Sequence, residues 1–110
     1  MTTDHIVNHL AIWEFLVKPG CESRFEQIYG PAGDWVHLFR RAGGHLGTVL
    51  YRDASIAKRY ITVDHWESLH AYETFRHNFA AEYKLLDESC ESLTEKETPL
   101  GTFHPVGPVS

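Results

Sequence analysis

The chain has 110 residues, 43% apolar and 23% charged, about the size of one domain and enough for one hydrophobic core. Fifteen acids against ten bases give a formal charge of −5, and the bases cluster only as Arg40-Arg41 and Lys58-Arg59, which argues against nucleic acid as a partner. No apolar run approaches the roughly 18 residues of a membrane span. The opening MTTDHIVNHL lacks a basic region followed by an apolar block, so no signal peptide is expected and a cytoplasmic site follows by default.

The first extended run, His9 to Val17, is apolar at both parities. Ala11, Trp13, Phe15 and Val17 share one face, and Leu10, Ile12 and Leu16 share the other. A strand of a one-sided antiparallel sheet alternates apolar with polar residues. This one predicts cover on both faces: helices on one, and in so short a chain a second subunit on the other. Lys18-Pro19-Gly20 ends the strand, and Pro19 suits the approach to a helix. Glu22 to Tyr29 reads as helix, with Phe25 and Ile28 or Tyr29 to one side. Gly30-Pro31-Ala32-Gly33 interrupts it. Asp34 is then a good N-cap for a short helix, Trp35 to Ala42, whose stripe is Trp35, Leu38, Phe39 and Ala42.

Gly43-Gly44 precedes a second strand, His45 to Arg52. Asp53-Ala54-Ser55 turns the chain into a third, Lys58 to Trp66, close enough to pair as a hairpin. Tyr60, Thr62, Asp64 and Trp66 share one face of it, and Arg59, Ile61, Val63 and His65 the other. A long helical region, Ser68 to Leu93, carries Leu69, Tyr72 and Phe75, then Phe79, Tyr83, Leu86, Cys90 and Leu93. The stripe drifts near His77-Asn78, which predicts a bend there. The last extended segment, Thr94 to His104, contains Pro99 and so belongs at an edge.

The order is β-α-β-β-α-β. It predicts a ferredoxin-like α+β domain, a four-stranded antiparallel sheet with helices on one face. One domain spans 1–110, with its core at about 9–104 and a C-terminal arm at 105–110.

Chemistry-bearing residues are dispersed. Cys21 and Cys90 sit at helical positions without metal-ligand spacing and are expected to be free thiols. His5 and His9 are four apart, but no acid or thiol joins them, and no metal set emerges. Gly43-Gly44 precedes a strand rather than a helix, so there is no phosphate-binding loop. Tyr60 and Thr62 share a face with Trp66. If that face meets the helices, they place polar groups in an apolar cleft, or else are satisfied strand residues. Asp64 has the same parity and is the only carboxylate there; it is expected to cap the Glu67-Ser68 backbone, with a base as the lesser alternative. Trp66 is a core plug at a strand end or a flat pocket wall. Tyr72 is a core tyrosine or a donor to a substrate oxygen. Tyr29 and Trp35 flank the Gly-Pro corner as a possible lip. Tyr83 lies on the inner stripe as a floor, and Lys84 is expected in solvent. His37 is a general-base candidate off the stripe of its helix.

Three features together resemble the antibiotic biosynthesis monooxygenase-like family of the dimeric α+β barrel superfamily. They are the Lys-Pro-Gly turn after the first strand, the corner RRAGGHLGTVLY, and the junction Asp64-His65-Trp66-Glu67-Ser68-Leu69-His70-Ala71-Tyr72. The resemblance covers roughly Leu10 to Phe103. It implies a dimeric α+β barrel and a pocket between sheet and helices that takes a polycyclic phenol without metal, flavin or haem. Trp66 and Tyr72 match the family's pocket Trp and Tyr. Thr62 stands where the family has Asn, and the family's helical Arg falls near Lys84. Haem-degrading relatives use a triad whose sites fall at Trp13 and Phe75, which do not match.

The resulting expectation is a homodimer with no cofactor, acting as a cofactor-independent monooxygenase on a small aromatic or polyketide-like compound. Trp66, Tyr72 and Thr62 are the expected catalytic residues. Tyr60, Trp35, Phe75, Phe79, Tyr83 and His37 are the expected substrate-binding ones. A non-redox cyclase or isomerase, and a non-catalytic ligand-binding or stress-related dimer, are the alternatives.

Overall fold

The computed structural model describes residues 8–108. The His5–His9 pairing and the end of the C-terminal arm lie outside them. The elements are β1 (His9–Val17), α1 (Glu22–Tyr29), α2 (Asp34–Arg40), β2 (His45–Arg52), β3 (Arg59–Trp66), α3 (Leu69–Asn78), α4 (Ala80–Cys90), a 3-10 turn (Glu91–Leu93) and β4 (Thr94–Phe103). The strands form one antiparallel sheet in the order β2-β3-β1-β4, the ferredoxin-like arrangement.

Alternation decides which residues the helices cover. Ala11, Phe15 and Val17 of β1 and Tyr60, Thr62, Asp64 and Trp66 of β3 are all buried on one face. Against them pack Phe25, Ile28 and Tyr29 of α1, Trp35, Leu38 and Phe39 of α2, and Phe75, Cys90 and Leu93 of the later elements. The opposite face carries Leu10, Ile12 and Leu16 of β1 and Ile61 and Val63 of β3, each half-buried, with Val49 and Tyr51 of β2 and Phe103 of β4 exposed. Arg59 lies on that face and donates to Glu14 and to Asp53, each at 2.6 Å.

Local chemistry moves several boundaries. Gly33, in extended conformation, is the N-cap of α2, and Asp34 is its first residue, without a capping hydrogen bond. The helix stops at Arg40, and the following two residues form a turn. Ser68 does cap α3, its Oγ accepting from the Ala71 N–H at 3.0 Å. The expected single long helix is two. Phe79 leaves helical geometry at φ −116°, ψ 26°, one residue after the expected bend. Its ring stacks on Phe75 at 5.6 Å and lies under the Arg41 guanidinium at 5.2 Å, contacts that hold it at the corner. Leu69, expected on the inner stripe, is exposed instead. Pro99 sits opposite Trp13 on edge strand β4, beside a register shift, where a missing N–H costs no ladder bond.

Candidate functional site

Between the covered face of the sheet and helices α1, α2 and α4 lies a cavity of about 400 Å³, counting its open mouth. Six aromatic side chains line it: Trp13, Phe15, Tyr29, Trp35, Phe39 and Tyr83. The polar lining is Thr48, Thr62 and three carboxylates, Asp64, Asp87 and Glu97.

Each wall follows from a local feature. On β3 the two-residue repeat turns Thr62 and Asp64 the same way. On β2 a bulge at Leu46 shifts the register, so that His45 pairs with Trp66 while Thr48 pairs with Asp64. That shift brings the Thr48 hydroxyl to Asp64 Oδ1, to which it donates at 2.9 Å. His45 Nε2 is in turn 2.9 Å from the Thr48 oxygen. The α1–α2 corner is set by close approach. A side chain on Gly33 would run into the Gln27 and Ile28 carbonyls, and one on Gly30 into Glu26 O at 2.6 Å. This corner seats Tyr29 and Trp35 side by side, ring centroids 6.0 Å apart, with Trp35 edge-on to Tyr83 at 5.0 Å.

The electrostatics are those of an acidic cleft. Burial pushes the Asp64 carboxyl up to about 7, against a smaller opposing effect from the Thr48 hydrogen bond. Asp87 is raised by burial and then by Glu91. Glu97, near the mouth, is raised by desolvation against the wall and then by Asp87 and Glu91. Burial also raises the Tyr29 and Tyr83 hydroxyls. The Tyr29 hydroxyl and the Trp35 Nε1–H are buried without a hydrogen-bond partner among the described residues.

Of the residues expected from sequence at a pocket, Tyr29, Trp35, Thr62 and Tyr83 line this cavity. Trp66 is fully buried one layer behind, edge-on to Phe39 at 5.5 Å, and also meets Tyr72 at 5.7 Å and Phe75 at 5.1 Å. Tyr72 lies beyond it, near His9, and accepts from Arg76 Nη1 at 2.9 Å. The Arg76 guanidinium sits 4.1 Å over the Tyr83 ring, tying that wall to α3. Phe75 and Phe79 form the packed layer behind Tyr83 rather than the lining. Tyr60 is on the covered face, but its hydroxyl donates to Glu26 on α1 at 2.5 Å. His37 is exposed on α2, and Lys84 is exposed and pairs loosely with Glu88 at 4.0 Å.

Asp64 is a correction: Glu67 N–H donates to Gly44 O at 2.9 Å, and the carboxyl expected to cap that segment takes Thr48 instead. Trp13, Phe15, Phe39, Thr48, Asp87 and Glu97 were not anticipated as lining. Phe39 was legible only as core, and Thr48 needed the bulge, which has no sequence signal. Among the described residues no group of three or more His, Cys, Asp or Glu side chains is placed to hold a metal ion, and no helix is long and apolar enough to cross a membrane.

The fold recurs in solved structures. The ActVA-Orf6 monooxygenase of Streptomyces coelicolor, solved with nanaomycin D, is 22% identical, covers 97% of this chain and 95% of its own, and superposes with a TM-score of 0.67. SnoaB of Streptomyces nogalater, a cofactor-independent oxygenase, is 16% identical over 94% of this chain and 97% of its own, with a TM-score of 0.61. A Bordetella bronchiseptica protein, provisionally described as an antibiotic biosynthesis monooxygenase, is 23% identical over 94% and 99%, with a TM-score of 0.68. A comparison with curated proteins gave no significant match. The antibiotic biosynthesis monooxygenase family model matches residues 9–84, most of the chain. The chain belongs to that family, and family and fold together point in general terms to a monooxygenase.

Proposed function

We propose that the chain is a cofactor-independent monooxygenase for a small aromatic or polyketide-like compound held in the cavity between sheet and helices. The observation that carries this reading is the lining itself: six aromatic rings around three carboxyl groups and two threonine hydroxyls. Chemistry without a cofactor needs a substrate that supplies its own electrons. An anthrone or hydroquinone becomes an electron-rich anion once a proton is removed. An activated CH₂ then reacts with one O₂ to give a carbonyl and one water, the substrate being oxidised and O₂ reduced. The protein's part is to exclude water, to stack the rings and to favour the anion. Thr62 reaches the cavity with a hydroxyl where the family carries an amide. Trp66 and Tyr72 adjoin one another behind Phe39 and set the depth of the inner wall.

The same reading takes the protein as a homodimer, in which the half-exposed apolar rows of two sheets cover each other. Family membership supports it, because these proteins are typically dimeric. The raised carboxyls of Asp64 and Glu97 also favour a second reading, a non-redox isomerase that uses an acid and a base in one cavity.

Oxygen uptake decides between them. Metal-free protein is expected to consume O₂ with polycyclic hydroquinones or anthrones, with uptake reduced in Thr62→Val, Trp66→Phe and Tyr72→Phe. Ligand binding by tryptophan quenching without any uptake would exclude the oxygenase in favour of isomerisation.

A further inference from the structure

We propose that Asp64 is the base that takes the substrate's acidic proton, and that Thr48 and His45 form a relay leading that proton outward from the cavity. The proposal rests on the reading of the cavity as a substrate site and names the group that starts the reaction there. It is carried by geometry. Asp64 lines the cavity, is 7% exposed, and uses Oδ1 to accept from Thr48. Thr48 occupies only one carboxylate oxygen, which leaves the other for a ligand. Thr48 bridges the 2.9 Å steps to Asp64 on one side and to His45 Nε2 on the other. His45 is half-buried at the start of β2 and so reaches solvent where Asp64 does not.

A hydroxyl both accepts and donates, so the chain conducts in either direction. With Asp64 ionised, His45 Nε2–H donates to Thr48 and Thr48 donates to Asp64. When Asp64 takes the substrate proton, the pattern reverses once His45 exchanges with solvent, losing its Nε2 proton and taking one at Nδ1: Asp64 then donates to Thr48 and Thr48 to the bare Nε2. Passing the proton along this line returns Asp64 to the carboxylate and leaves His45 protonated at both nitrogens, until Nδ1 releases one proton to solvent. The electron pair stays on the substrate as its enolate or phenolate, so the step needs no oxidant. The groups around the pair suit this role. From α4, Tyr83 and Asp87 share the cavity, and from β4, Glu97; none is cationic, so no fixed positive charge holds Asp64 permanently ionised. Ala11 opposite it on β1 is apolar. Burial, and then Arg40 of α2 and His65, lower His45 from the usual imidazole range, so it gives up a proton to solvent readily. A base is most effective when its own pKa lies near the working pH, and burial brings Asp64 to that region.

The test separates proton removal from oxygenation. Under nitrogen in D₂O, exchange of the CH₂ protons of 1,8-dihydroxyanthrone is followed by NMR, with binding measured by tryptophan quenching. Wild type should accelerate exchange, and Asp64→Asn should lose about 100-fold or more of that rate while Kd stays within about threefold. Thr48→Val removes the hydrogen bond that favours the Asp64 anion, so the pH–rate limb should move to higher pH. A merely structural role for Thr48 would change the plateau without moving the limb. Exchange by Asp64→Asn at the wild-type rate overturns the proposal, as does a wild type that fails to accelerate exchange, whether or not the anthrone binds. Admitting air then tests the other reading alone. Exchange without oxygen uptake keeps the relay and removes the monooxygenase. Uptake undiminished in Asp64→Asn keeps the monooxygenase and removes the relay.

Discussion

The two faces of the sheet carry similar numbers of apolar side chains and bury them to different depths. On the helix side, Phe15, Val17, Tyr60 and Trp66 are each 3% exposed or less, beside an acidic cavity. On the other side, Leu10, Ile12, Leu16, Ile61 and Val63 are only half-buried, and Val49, Tyr51 and Phe103 are exposed. The covered face is complete within one chain and reserves its imperfection for polar groups. The open face is incomplete as it stands, and a contiguous apolar surface of this kind is characteristic of an interface. Within one sheet, depth of burial separates the residues that make the fold from those that call for a partner.

The comparison breaks first where burial is deepest. Trp66 has no exposed surface and meets Phe39, His45, Tyr72 and Phe75. Trp66→Ala should cost about 3–5 kcal/mol, much of the stability of a small domain, read as a lower urea midpoint. A loss below about 1 kcal/mol would mean that the aromatic layer is not the core. On the open face the expected effect is on assembly. Ile61→Lys should turn a micromolar dimer into a monomer by sedimentation, with the helix content of the wild type retained. Wild type sedimenting as a folded 12.6 kDa monomer would remove the dimer altogether. Gly33→Ala comes next. Its methyl would meet backbone carbonyls of α1 that cannot swing aside, so a loss of about 1–3 kcal/mol is expected, together with weaker ligand binding as Trp35 shifts.

These contrasts explain how much was legible in the sequence. β1, α1 and β2 are bounded by punctuation, Pro19-Gly20, Gly30 and Gly44, and their ends fall where a reading of the residues puts them. The parity of Tyr60, Thr62, Asp64 and Trp66 depends only on the two-residue strand repeat, and it holds along the whole of β3. The site was less legible, because a cavity is made by tertiary neighbours. Nothing in the residues announces the bulge at Leu46 that delivers Thr48 to Asp64, nor the edge pairing that sets Glu97 opposite Phe15. Tyr60 shows the limit of parity: it gives the face, while the Glu26 contact fixes where the hydroxyl goes. Phe79 shows the same for helices, since a stripe that continues through a corner reads as one helix.

The buried carboxylate also makes a prediction about pH. Asp64 in the folded chain holds its proton up to about 7, against 3.8 for an ordinary aspartate. Between those values the folded state binds a proton that the unfolded chain releases, so stability rises as pH falls from 8 toward 6. His9 and His45 act in the opposite sense. Both are lowered from 6.5, mainly by burial, so the unfolded chain takes up protons first and stability falls as pH drops below that value. Wild-type Tm should therefore pass through a maximum near pH 6. Asp64→Asn should show a shallower fall in Tm between pH 6 and 8, the remaining slope coming from Glu97, itself raised to about 7, with a higher Tm than wild type at pH 8. A Tm for Asp64→Asn below wild type at pH 8 would show that the ionised carboxylate is stabilised by something other than Thr48.

The smallest effect belongs to the open face. Arg59 donates to Glu14 and to Asp53, and Asp53 is held down to about 2, first by the N–H groups of Ile56 and Ser55 and only then by Arg59. With its side chain a third exposed, the guanidinium is screened, and the Asp53 turn keeps most of its stabilisation without it. Arg59→Ala should lower Tm less than Gly33→Ala does, and its effect should shrink in high salt. The informative measurement is the same substitution in an Ile61→Lys background. If a partner sheet covers this face, the ion pairs are drier in the dimer, and Arg59→Ala costs more in the wild-type background than in the monomer. Equal costs in both would mean that the partner, if there is one, does not lie over β3.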